Sequence, residues 1–159
     1  MGVHDLWVES YQGEVLGETL FGLLADREED SGRRHQLETL TLLERATKEI
    51  AEPVFERRMF ERGDTAASVK AATELAEAVA PMSWPEFLES FEPVTSQFLA
   101  KYRELVTLAE DDAERAIAEA YVAHEEALAA FARRALGKEE GEPLEPILAL
   151  PHVAAAIPA

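Results

Sequence analysis

Two hexapeptides in this chain share one pattern. Glu49-Ile50-Ala51-Glu52-Pro53-Val54 and Glu89-Ser90-Phe91-Glu92-Pro93-Val94 both read Glu-x-x-Glu-Pro-Val. Residues three apart on a helix lie on one face, so each segment presents two carboxylates side by side. Each proline also lacks the N–H that would bond the carbonyl four residues back, that of Glu49 or Glu89, and should kink its helix there. A freed carbonyl beside two carboxylates is an oxygen-rich setting suited to iron, manganese or another hard divalent cation. Prolines inside amphipathic helices are costly, and two placed alike suggest a purpose. His124 is the other chemically capable residue, on an apolar stripe with Tyr121 one turn before it. A histidine placed so is either a hydrogen-bonded core residue or a ligand.

Helices must position these groups, because Ala, Glu, Leu and Arg dominate and no segment alternates as a strand would. The first helix is expected over 5–29, with Val8, Val15, Leu16, Leu20, Leu23 and Leu24 at helical spacing, and Asp30-Ser31-Gly32 breaks it. The second runs from Arg33 past Met59 on a stripe of Leu37, Leu40, Leu43, Ala46, Ile50 and Val54. Asp64 can cap a short third helix over 65–79. Ser83-Trp84-Pro85-Glu86 reads as a capping box opening a fourth helix that continues to Ala109. Asp111 or Asp112 caps the fifth, whose stripe is Ile117, Ala120, Tyr121, His124, Leu128, Phe131 and Ala135, with Gly137 as its C-terminal stop. Four long helices with a short one between the second and third long ones suit a four-helix bundle with a crossover. The bundle is expected over 1–137, with a Pro-rich tail over 138–159 packed on it through Leu144, Ile147, Leu148, Leu150 and Val153.

At 159 residues the chain can bury a core as one domain. Its formal charge of −17 repels phosphate backbones and anionic membranes, so nucleic acid and lipid head groups are poor partners, and cations are better ones. The absence of cysteine excludes thiol nucleophiles, iron–sulfur clusters, zinc–thiolate sites and disulfides together. The N-terminal residues carry no signal-peptide pattern and no apolar run reaches ~18 residues, so a soluble cytoplasmic protein is expected.

Short strings over about Trp7–Gly137 resemble ferritin-like proteins of the rubrerythrin type. Gly13-Glu14 followed by Phe21 is similar to the family's first helix, where a Gly-Glu pair precedes an aromatic residue by two turns; Glu14 would be the ligand, with Glu18 as the alternative. The segment Glu44–Glu52 resembles the stretch carrying the family's first Glu-x-x-His, with Glu49 at the ligand Glu and Glu52 in place of the histidine. Glu89 and Glu92 match the carboxylates of the third long helix. His124 falls on the second family histidine, while Tyr121 replaces the Glu three residues before it.

The resemblance implies a ferritin-like four-helix bundle whose interior site is lined by Glu14, Glu49, Glu52, Glu89, Glu92 and His124, with Tyr121 as a redox-active or supporting neighbour. Iron or manganese would be the cofactor, and oxidation of ferrous iron or reduction of peroxide the activity. The rival expectation is an emptied, non-enzymatic bundle that holds no metal and serves as a homodimer or larger homo-oligomer for binding a partner. With 32 acidic residues in the chain, a solvated face competes for every glutamate named. Glu44, Glu125 and Glu126 are expected on the surface. Tyr11, Phe21, Tyr121 and Phe131 are core aromatics first. His4, His35 and His152 receive no role.

Overall fold

The computed structural model describes residues 1–158, which form helices and their connections with no strand among them. The helices are α1 (Val3–Arg27), α2 (Ser31–Ile50), α3 (Glu52–Arg58), α4 (Thr65–Val79), α5 (Trp84–Glu89), α6 (Phe91–Leu108), α7 (Asp112–Ala135), α8 (Glu145–Leu148) and α9 (Pro151–Ala156). Two of the long helices drawn from the sequence are each broken in two. The breaks fall at Ala51 and Ser90, two and three residues before Pro53 and Pro93, where the missing proline N–H interrupts the helical ladder. The expected caps are present. Asp30, Asp64 and Asp111 accept from the N–H groups of Arg33, Ala67 and Glu114 at 2.9, 3.0 and 2.8 Å, and Ser83 with Glu86 forms a full capping box. Each such cap contributes about 1 kcal/mol. No helix among the described residues is long and apolar enough to cross a membrane.

The chain divides into two compact units. One spans Trp7–Pro81 and comprises most of α1 with α2, α3 and α4. Here α1 lies along α2, as ion pairs from Arg45 and Lys48 to Glu18 show. The ring of Phe55 on α3 meets Trp7 and Tyr11 edge-on, at centroid distances of 6.4 and 5.1 Å. α4 is seated on α1 through its two buried residues, Ala72 and Ala76, against Leu20 with Leu16, Leu23 and Leu24 around them. Alanines one turn apart let two helices approach closely.

The other unit takes in Met1–Leu6 and the chain from Met82 onward. It is built on the α6–α7 hairpin, whose centre holds Tyr102 and Tyr121 ring to ring at 5.0 Å and nearly perpendicular. Phe87, Phe91 and Phe131 extend this core. The tail forms α8 and α9, and α8 packs on α7. Ile147 and Val153 are fully buried, whereas Leu148 is exposed.

Candidate functional site

In the Trp7–Pro81 unit the buried positions of α1 include Trp7, Ser10, Glu14, Gly17 and Phe21, a three-four-three-four spacing. Those of α2 and its continuation include Leu37, Leu40, Glu44, Thr47, Ala51 and Val54, in the same rhythm. Each helix therefore carries one glutamate in the seam it buries. Glu14 is 1% exposed and Glu44 5%. The position a Cβ of Gly17 would take lies 2.7 Å from both carboxylate oxygens of Glu44, so glycine makes the room for that carboxylate one turn from Glu14. Glu44 is thus interior, and the expectation of a solvated face is corrected. Glu18 is part-buried and held by Arg45 and Lys48. Burial alone would raise its carboxyl, but hydrogen bonds from Lys48 and Arg45 hold it below the usual value.

In the other unit, α7 buries Glu114, Ala118, Tyr121, Glu125, Leu128 and Ala132, again four and three apart. His124, beside this seam, is fully buried, and Glu125 is 4% exposed, which corrects its expected surface position; Glu126 is exposed as anticipated. His124 Nε2 stands 3.7 Å from Glu125 Oε1. That separation exceeds a hydrogen bond, yet it suits two atoms ligating one ion at ~2.0–2.2 Å each. Glu114 is engaged in capping. Its carboxylate accepts the N–H of Glu110 at 2.6 Å at the start of α7, where the helix dipole favours negative charge. His152, given no role by the sequence, is half-buried on α9. Burial, with His124 adding to it, pushes its pKa down to about 4.

The remaining candidates are placed otherwise. Glu49, Glu89 and Glu92 are exposed, so these three are not gathered in an interior site. Glu52 is half-buried and already engaged. Arg62 donates to it from Nε at 2.8 Å and also from Nη2, and the hydroxyl of Tyr11 donates at 3.1 Å. The Arg62 guanidinium holds the Glu52 carboxyl below its ordinary range, while burial, aided by Glu52, raises the phenol of Tyr11. Heptad spacing is the signal that separates the two groups of glutamates. Glu14, Glu44 and Glu125 continue the apolar seams of their helices, and the Glu-x-x-Glu-Pro-Val pattern carries no such information. No protein-family model, no curated protein and no solved structure matches this chain.

Proposed function

We propose that the protein is a ferritin-like helical bundle that binds a divalent metal ion, iron or manganese, through His124 and Glu125. Both side chains are buried, and each has a ligand atom to offer. The observation that carries the proposal is the His124–Glu125 pair, buried and 3.7 Å apart. An imidazole and a carboxylate at that separation suit a common ion as a mixed nitrogen–oxygen pair. Oxidation of ferrous iron or reduction of peroxide is the chemistry such a site would offer, with Tyr121, one turn before His124, as the redox-capable neighbour.

The test is elemental analysis after incubation with ferrous iron or manganese, on the wild type and on Glu125→Gln and Glu49→Ala. The expected result is metal retained by the wild type and by Glu49→Ala and lost from Glu125→Gln. No retention by the wild type would end the metal proposal. The exposure of Glu49, Glu89 and Glu92 favours the second reading, an emptied bundle acting as a homo-oligomeric binding protein, and that outcome would turn attention to it.

A further inference from the structure

α4 is the least buried of the longer helices. Of its fifteen residues only Ala72 and Ala76 are buried, and each sets a single methyl into the interface. α2, by contrast, buries Leu37, Leu40 and Leu43. Against the two alanines stands Leu20 of α1, with Leu16, Leu23 and Leu24 packed around it. The apolar side chains of this contact thus belong mainly to α1, and α4 is their cover.

The polar fastening of α4 is concentrated on Gln12 of α1. Its Oε1 accepts from the hydroxyl of Ser68 at 2.7 Å, and its Nε2 donates to the carbonyl of Arg62 and reaches Thr65 Oγ1 at 3.5 Å. One carboxamide therefore holds both the first turn of α4 and the loop before it. That loop is shaped to lie there. Gly63 has φ 90°, and a Cβ on it would fall 2.8 Å from Cγ1 of Val8 and 3.2 Å from Cγ of Gln12. Further along α4, Glu77 pairs with Arg27 at 3.0 Å, but both side chains are exposed and such a pair contributes little. The contacts fall in the same order along both helices: Gln12 with Ser68, Leu20 with Ala72 and Ala76, Arg27 with Glu77. α4 therefore lies alongside α1 and runs in the same direction. The chain that leaves it, 80–83, is exposed.

We infer that α4 is a flap clamped by Gln12, which lifts from α1 and uncovers the leucine stripe Leu16, Leu20, Leu23 and Leu24 while α1, α2 and α3 stay folded. Local opening selects elements with few buried apolar side chains, and α4 meets that description. A free helix of fifteen residues holds its own hydrogen bonds only marginally, so release and melting are one event. The pivot is the junction of Gly63 and Asp64, where the pinned loop meets the helix cap. Contact of the leucines with water makes the closed state the resting one and gives the open state a wider apolar surface. The flap lies within the Trp7–Pro81 unit and works with or without a bound ion.

The chain has no cysteine, so a single thiol placed on the stripe reports alone. The experiment measures amide hydrogen exchange in the full-length chain and, separately, alkylation of Leu20→Cys by iodoacetamide, residue 20 being 8% exposed under the closed flap. In the wild type, amides over 69–79 should exchange through an opening that leaves those over 37–47 protected. Gln12→Ala should raise α4 exchange, and alkylation in the Leu20→Cys background, together by about tenfold, which is roughly 1.4 kcal/mol of opening free energy. Ser68→Ala should act in the same direction although alanine is the better helix former, which separates loss of the clamp from loss of helix propensity. Neither substitution should change exchange over 37–47. α4 amides that exchange only together with those of α2 would overturn the flap. Unchanged α4 exchange in both variants would overturn the clamp, and faster exchange without faster alkylation would overturn the uncovering.

Discussion

The carboxylate of Glu44 occupies the space that a side chain at Gly17 would fill: a Cβ on residue 17 would fall 2.5 Å from Cδ of Glu44. An alanine in a helix is normally worth about 1 kcal/mol over glycine. Here it has to displace a carboxylate that is 5% exposed, and a displaced buried charge must find new partners inside the core. Gly17→Ala should therefore destabilise the protein by about 1–2 kcal/mol, the desolvation cost exceeding the helical gain. In a Glu44→Ala background the same substitution should become neutral or stabilising. Urea denaturation of the four members of this cycle measures the coupling, and an additive cycle would refute it.

Metal linkage gives a second prediction. A ligand that binds only the folded state stabilises it by about 2.7 kcal/mol at a hundred times its Kd. Manganese at that excess should raise the wild-type Tm. The rise should vanish in Glu125→Gln and persist in Glu49→Ala and Glu89→Ala, whose side chains are exposed. A Tm shift that survives Glu125→Gln would place the ion elsewhere.

His152 makes the metal-free protein sensitive to mild acid. Its folded pKa lies near 4, below the ordinary 6.5, because burial and the neighbouring His124 disfavour its protonated form. Between these two values the unfolded chain binds more protons than the folded one, so stability rises with pH across that window. The contribution is complete above 6.5 and is lost as pH falls towards 4. Urea midpoints at pH 7 and pH 5 should differ more for the wild type than for His152→Asn. Equal pH dependence in the two proteins would exclude His152 as the source.

Glu52 and Arg62 predict a separate acid response. The carboxyl of Glu52 is held below its ordinary value chiefly by the Arg62 guanidinium. The stabilisation it brings is present above the unfolded value of 4.5 and is lost as pH falls through the folded one. Both side chains are more than a third exposed, so the effect is a small one. Arg62→Met should flatten the stability profile below pH 4.5 without altering it at neutral pH beyond the loss of one surface contact. NMR titration of the Glu52 carboxyl carbon, with and without Arg62, reads the shift directly.

Local rules acting on neighbouring residues made much of the secondary structure legible. Asp30, Asp64, Ser83 and Asp111 announce helix starts because their side chains reach N–H groups only three residues away. Pro53 and Pro93 announce the breaks near Ala51 and Ser90 because a missing N–H acts within one turn. The stripe Leu37, Leu40, Leu43 shows the buried face of α2 because side-chain direction follows helical geometry. Repetition of the Glu-x-x-Glu-Pro-Val string was a poorer guide. It reflects local backbone chemistry, and three of its four glutamates, Glu49, Glu89 and Glu92, are exposed.

Tertiary structure alone decided which carboxylates are interior. Glu44 and Glu125 are ordinary helix-forming residues by propensity, and only helix packing turns their heptad positions into burial. That Gly17 opens a space for Glu44 and that Arg62 claims Glu52 are contacts between residues on different segments of the chain. Caps, stops and periodicities are set within one or two turns and can be read in order along a sequence. The partner of a side chain across a helix interface depends on how whole helices dock, and no spacing within one helix contains that information.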